Sequence, residues 1–196
     1  MNINTLEHYT QFWHANAKNY GINPYHISRF QFVAGLCLPG TTILDVASGP
    51  GHISKYLPPG VCYERLDFCD WPLKMYHGVF FVMDVLKTDR LPSPYHTVLA
   101  MEILEHLDDP IPLVAKCLDA ALYQVIFTVP NNRLPPEICP EHVSVWNRDS
   151  FVSFLNPLCE PYRLTSYLTD ANIVCQILIG DRVRDQVGDQ ALTGIN

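Results

Sequence analysis

Two periods of apolar residues run through this chain. Between Thr5 and Leu38 the residues Leu6, Tyr9, Phe12, Trp13 and then Ile27, Phe30, Val33, Leu36 recur at three and four positions, which predicts two helices separated at Gly21-Ile22-Asn23-Pro24. After Pro39-Gly40 the period changes. Continuous β-prone runs at Thr42–Val46, Val61–Asp67, Gly78–Asp84, Tyr95–Met101 and Tyr123–Asn131 read as buried strands. Between them lie helical patterns at His52–Leu57, stopped by Pro58-Pro59-Gly60, and at Ile111–Leu122, with a weaker one at Trp71–Tyr76. A further helix is expected over Ser150–Leu158 with Asp149 as its cap. Tyr162–Leu168 and Ile173–Ile179, joined through Thr169-Asp170-Ala171-Asn172, have the form of a β-hairpin. Strands alternating with helices predict an α/β fold with a parallel sheet and right-handed crossovers. The whole chain, 1–196, reads as a single domain: helices over 1–38, a core over 41–181 and a loose polar tail over 182–196.

Composition narrows what such a domain can do. With 196 residues, 48% hydrophobic and 17% charged, the chain can bury a core and has no run that would span a membrane. A net charge of −7 with only 13 Lys and Arg, none clustered, disfavours nucleic acid as a partner. Seven scattered cysteines without a C-x-x-C pair indicate neither a disulfide framework nor a thiolate zinc site. Met1 to Glu7 carries no basic region followed by an apolar run, so the expected compartment is the cytoplasm.

The chemistry concentrates where the first strand breaks, in Thr42-Ile43-Leu44-Asp45-Val46-Ala47-Ser48-Gly49-Pro50-Gly51-His52-Ile53. A turn of Ala, Ser and two glycines has little side-chain bulk, so a ligand can reach its backbone, and the N–H groups that follow favour a charged group there. A tight turn needed only for packing would look similar. What favours a ligand is Asp45 at the strand end together with Asp67 roughly twenty positions later, at the return of the next parallel strand. A nicotinamide-binding G-x-G-x-x-G turn would require glycine at position 54, where the chain has Ser54.

Ile43-Leu44-Asp45-Val46-Ala47-Ser48-Gly49-Pro50-Gly51 resembles the first motif of the class I S-adenosylmethionine (SAM) dependent methyltransferases, apolar-Leu-Asp-x-Gly/Ala-x-Gly-x-Gly. Three later segments add to the resemblance. Asp84-Val85 through Leu91-Pro92 matches an Asp-apolar to Leu-Pro segment. Tyr95-His96-Thr97-Val98 followed by Glu102-Ile103-Leu104-Glu105-His106 and Asp109-Pro110 is similar to Phe-Asp-x-Val, Glu-Val-Leu-Glu-His and Asp-Pro of small-molecule methyltransferases, the ubiquinone-biosynthesis O-methyltransferases among them, with His96 where Asp is usual. Val129-Pro130-Asn131 and Glu141-His142-Val143 complete it. The resemblance covers residues 40 to 131 well.

It implies a Rossmann-like, doubly wound, seven-stranded and mostly parallel sheet with a C-terminal antiparallel hairpin and N-terminal cap helices. It also implies SAM as cofactor, S-adenosylhomocysteine as its product, and a small-molecule acceptor methylated at O or N. The cofactor-binding residues it implies are Asp45, Ala47, Ser48, Gly49 and Gly51 for the methionine portion, Asp67 for the ribose hydroxyls, Phe68, Asp84 and Val85 at the adenine, and Met101. Tyr9, Trp13, Tyr20 and Tyr25 are candidates for lining the acceptor pocket or for ordinary core. Glu102, His106 and His142 are the candidate catalytic residues, and Glu102, Glu105 and His106, at i, i+3 and i+4, share one face of a helix and could hold a divalent metal. The same residues also fit an acidic helix N-terminus with His106 hydrogen-bonded at the pocket wall, or a metal-free site with a histidine as base. A SAM-binding partner that transfers nothing remains an alternative. A nucleic-acid methyltransferase is disfavoured further, because the Asn/Asp-Pro-Pro motif of those enzymes is absent after the fourth strand.

Overall fold

The computed structural model describes residues 4–180 apart from Tyr76, Ser93 and Arg133; the tail expected at 182–196 lies outside the described residues. Two helices open the chain, α1 (Leu6–Tyr20) and α2 (Pro24–Gly35). Thr5 caps α1 by accepting from the His8 N–H. Asn23 caps α2, whose first residue is Pro24, so the segment that separates the helices also starts the second. Seven strands follow: β1 (Thr42–Val46), β2 (Cys62–Asp67), β3 (Phe80–Val82), β4 (Tyr95–Met101), β5 (Ala121–Pro130), β6 (Arg163–Leu168) and β7 (Asn172–Leu178). They form one sheet in the order β3-β2-β1-β4-β5-β7-β6. All pairings among β1 to β5 are parallel, and β7 runs antiparallel between β5 and β6. This is the doubly wound sheet with a terminal hairpin that the sequence implies.

Side-chain alternation along the strands builds a core on each face. Ile43, Leu99, Ile126 and Val174 turn to one side and meet Phe30, Val33 and Ala34 of α2. Leu44, Val46, Val98, Ala100, Val125 and Phe127 turn to the other and meet α4 (Ile111–Ala120) and α5 (Arg148–Leu155). Period two within each strand, with both faces apolar, is what a sheet covered on both sides requires. Helix α1 stands outside these layers and packs through Trp13 and Ala17 against Cys69, Phe68 and Trp71 at the ends of the strands.

Several local expectations are corrected. The helix expected at His52–Leu57 is one 3-10 turn, His52–Lys55, and that at Trp71–Tyr76 is the single turn α3 (Asp70–Leu73). Each sits in a short connection, where the strand ends set the geometry and propensity has no room to act. The third strand shortens to Phe80–Val82 and is not buried: it forms the sheet edge, and Val79, Phe80 and Val82 are exposed. Helix α4 ends at Ala120 because β5 already begins at Ala121. Helix α5 starts at Arg148 rather than Ser150, since Asn147 and not Asp149 is the cap; the Asn147 side chain accepts from the Ser150 N–H while the Ser150 hydroxyl accepts from the Asn147 N–H. After β4 the chain makes a 3-10 turn, Leu104–His106, instead of an α-helix.

Candidate active site

The C-terminal ends of β1 to β4 all point to one edge of the sheet, where strand order reverses, and a cavity of about 380 Å³ lies there. Ala47 follows β1, Asp67 and Phe68 end β2, Met83 to Leu86 follow β3, and Glu102 and Ile103 follow β4; Asn4, Tyr9 and Trp13 close it from the N-terminal side. His106 lies on its wall. Of the sequence-derived cofactor residues, Ala47, Asp67, Phe68, Asp84 and Val85 line this cavity, whereas Asp45, Ser48, Gly49, Gly51 and Met101 stand behind its wall or beside it.

The glycine turn has the conformation its composition suggests. Ala47, Gly49 and Gly51 all take positive φ, at 55°, 51° and 73°. For Gly51 this is obligatory, since a β-carbon there would come within 2.5 Å of the buried Arg65 side chain. At Gly49 a β-carbon would meet the Trp13 ring at 2.6 Å, so α1 lies directly over the turn. Asp67 accepts from the Gly49 and Cys69 N–H groups, both at 2.9 Å, which ties the end of β2 to the turn. Asp45, fully buried, accepts from the Tyr63 hydroxyl at 2.5 Å, and its other oxygen has no hydrogen-bond partner. Burial dominates both carboxyls, pushing Asp45 up to about 7 and Asp67 up to about 6.

At the opposite side of the cavity the three residues expected on one helical face are separated. Glu102 takes a left-handed conformation (φ 53°), and its carboxylate is engaged by Arg29 at 3.0 Å and by the Thr128 hydroxyl and the Asn172 amide, both at 2.9 Å. Glu105 instead points inward with His106, and His142 completes the group: one donor atom from each lies within 4.8 Å of the others. So the 3-10 turn replaces Glu102 by His142. Both oxygens of buried Glu105 lack hydrogen-bond partners, and burial, then the charge of Glu102, holds its carboxyl well above the usual carboxylate range. Burial, reinforced by His142, brings His106 down to about 4, so it is neutral at pH 7.

Tyr25 is exposed and Tyr20 packs against Trp13 and His26 without lining the cavity, so of the four aromatic candidates only Tyr9 and Trp13 do. Sequence reasoning missed Asn4, Arg29 and Asn172. Arg29 carried a signal, as a lone charge on the apolar face of α2.

Comparison with known proteins agrees with this geometry. A putative methyltransferase from Haloferax volcanii, solved in complex with the Trm112 methyltransferase activator, superposes with a TM-score of 0.63 at 14% identity over 85% of this chain and 96% of that one. A SAM-dependent methyltransferase from Thermotoga maritima, described as a possible histamine N-methyltransferase, gives 0.67 at 6% identity over 90% and 100%. This chain has the class I SAM-dependent methyltransferase fold. Another structure of that fold, magnesium protoporphyrin IX methyltransferase from Synechocystis with bound SAM, gives 0.54 at 14% identity over 83% of this chain and 85% of that one. By sequence, ubiquinone biosynthesis O-methyltransferases from Bordetella bronchiseptica (32% identical over 110 residues, 50% of this chain and 45% of that protein) and Xanthomonas campestris (26% over 121 residues, 55% and 50%) are similar. The chain thus spans about half the length of the curated relatives it matches. No protein-family model matches it. Among the described residues no helix is long and apolar enough to cross a membrane.

Proposed function

We propose that this protein is a SAM-dependent methyltransferase acting on a small-molecule acceptor at oxygen or nitrogen. The observation that carries the proposal is the continuous cavity from the Ala47 turn and Asp67, past Asp84 and Val85, to His106. Asp67 and the turn would hold the ribose and methionine portions, with Phe68 and Val85 against the adenine. Methyl transfer is an in-line displacement: the acceptor lone pair forms the new bond to carbon as the S–CH₃ bond breaks, and the acceptor loses a proton. The protein therefore has to align two molecules and receive that proton. We assign that proton to His106, which lines the cavity, with His142 packed against it; Nε2 would be the accepting atom in each, because Nδ1 of His106 and of His142 is bonded to the carbonyls of Glu141 and Leu134. The acidic balance of the chain and the size of the cavity, about 380 Å³, support a small acceptor over a nucleic acid.

A second reading concerns a divalent cation. The donors fit one: two imidazoles with Nδ1 already occupied, and a buried carboxylate with two unsatisfied oxygens. Glu105, His106 and His142 would hold the ion, and Glu102 would not, being held by Arg29. Bound there, a cation would lower the pKa of an acceptor hydroxyl.

The test is release of S-adenosylhomocysteine across a panel of phenolic, carboxylate and amine acceptors, alongside calorimetry with SAM and with NAD. SAM should bind and NAD should not, and Asp67→Ala should weaken SAM binding at least tenfold, through loss of charge-assisted hydrogen bonds worth about 1.5–3 kcal/mol each. Unchanged affinity in that variant would overturn the role given to Asp67. Full activity in excess chelator would dismiss the cation and leave the histidines as bases.

A further inference from the structure

The N-terminal residues reach His106 through a set of hydrogen bonds that the proposed reaction does not by itself require. The Asn4 amide nitrogen donates to the backbone carbonyls of His106 and Glu141, each at 2.9 Å. Carbonyls only accept, so this orientation of the amide is dictated by its partners. Its oxygen is left to accept from the Tyr9 hydroxyl at 3.1 Å. The Tyr9 hydroxyl, its proton given to Asn4, turns its lone pairs to Nδ1 of His106, also at 3.1 Å. Nδ1 stands 3.0 Å from the Glu141 carbonyl as well. Both neighbours of Nδ1 are therefore acceptors. The imidazole must carry its proton on Nδ1, and Nε2 keeps its lone pair. Burial raises the Tyr9 hydroxyl far above its ordinary pKa, which keeps the phenol neutral and able to donate to Asn4.

We propose that Asn4 and Tyr9 are positioning residues that fix the His106 imidazole in the Nδ1–H form and so present its Nε2 lone pair to the reaction. The inference rests on the reading of His106 given above, yet it holds for either role of that residue, since a base and a metal ligand both need the lone pair on Nε2. Asn4 and Tyr9 join the start of the chain to the 3-10 turn after β4 and to the connection between β5 and α5 that carries Glu141 and His142, two segments that are also joined by the Val143 and Ser144 N–H groups, which donate to the Glu105 carbonyl at 2.8 and 3.2 Å. Without the two side chains the Glu141 carbonyl, still tied to the turn by the Val143 and Ser144 N–H groups on the Glu105 carbonyl, is the one acceptor left at Nδ1 and is no longer held against the ring by the Asn4 amide. His106 then exchanges between tautomers, and the N-terminal helix stops contributing to the chemistry.

The experiment is long-range ¹H–¹⁵N correlation spectroscopy of the histidine rings in uniformly labelled full-length protein at pH 7.5, with His106→Gln used to assign the resonance. The expected spectrum has His106 wholly in the Nδ1–H form in the wild type. In Tyr9→Phe combined with Asn4→Ala the pattern should become that of exchanging tautomers, with at least a third of the population protonated on Nε2. Tyr9→Phe alone, which preserves the ring packing against Phe12 and Phe68, should shift the populations in the same direction and serves if the double variant does not fold. An Nε2–H ring in the wild type overturns the proposal. So does an unchanged Nδ1–H ring in the variants, which would assign the tautomer to the Glu141 carbonyl alone. The readout needs no turnover: a tautomer shift without methyl transfer to any acceptor would refute the enzymatic reading and leave the positioning intact.

Discussion

The two ends of the cavity are built by different means. At the end formed by β1 and β2 the fixed groups belong to strand termini: a left-handed turn after β1 and a carboxylate at the end of β2 that bonds back to it. At the end that His106 lines, no strand holds His106 or His142. They are bonded to the Tyr9 side chain of α1 and to the carbonyls of Glu141 and Leu134, between β5 and α5. Under the proposed function the difference would separate binding from chemistry: a sheet terminus suits a cofactor of constant shape, while a loop-held site can change its acceptor without disturbing the sheet.

The largest expected effect breaks the first end. Gly51→Ala forces a β-carbon into the left-handed region, costing about 1–2 kcal/mol, and against the Arg65 side chain at 2.5 Å, where overpacking costs about 1–3 kcal/mol more. Denaturant unfolding should show a loss of about 2–5 kcal/mol. A loss below about 1 kcal/mol would mean that the turn is not locked. At the other end His106→Ala should leave stability far closer to wild type and lower turnover by about 10²–10⁴-fold, the range for a proton-transferring side chain.

Protonation separates carboxyls from imidazoles more finely, because burial raises Asp45, Asp67 and Glu105 and lowers His106 and, on α2, His26. Asp45 and Asp67 have folded pKa values of about 7 and about 6, raised above the unfolded value by burial. Between pH 4 and 7 the folded state then binds more protons, so these groups make stability fall as pH rises. His106 and His26 are lowered to about 4, both chiefly by burial, and between pH 4 and 6.5 the unfolded state binds more protons, so they make stability rise. Each group contributes a slope of at most about 1.4 kcal/mol per pH unit. Asp45→Asn should remove part of the falling limb, and His26→Gln part of the rising one, in unfolding curves collected from pH 4 to 8. A single variant moving both limbs would refute the separation.

The sequence was legible where local pattern and global fold agree. Continuous apolar runs place β1, β4 and β5 within a residue or two, since both faces of each are covered and almost every position along them is apolar or buried. The edge strand β3 departs from the expected buried strand because its apolar residues are exposed at the end of the sheet, and periodicity carries no information about which strand is last. The conformation of the turn after β1 is legible in its small residues, while its reading as a ligand site needs Asp45 and Asp67 as well. The site around His106 is not legible in this way: the spacing of Glu102, Glu105 and His106 placed them on one face only if the chain was α-helical there. What set the actual geometry was a buried arginine 73 positions earlier taking Glu102 (102 − 29), a contact with no local signature.

The smallest effect tests whether strain is shared by both ends. Ala47 and Glu102 are each held at positive φ without being glycine, Ala47 in the turn after β1 and Glu102 after β4. Glu102 is held by Arg29, Thr128 and Asn172, so replacing it removes those bonds along with any strain. Ala47 has a single methyl group and allows a cleaner measurement. Ala47→Gly relieves a left-handed cost of about 1–2 kcal/mol but gives the unfolded chain more freedom, which offsets about 0.4–1 kcal/mol. The net expectation is a gain of up to about 1.5 kcal/mol in unfolding free energy, with SAM affinity within threefold of wild type because the backbone N–H groups keep their places. A destabilised Ala47→Gly variant would mean that the methyl group packs usefully against the core beside Leu66 and Val46, and that the turn's conformation is set by that packing in addition to the glycines.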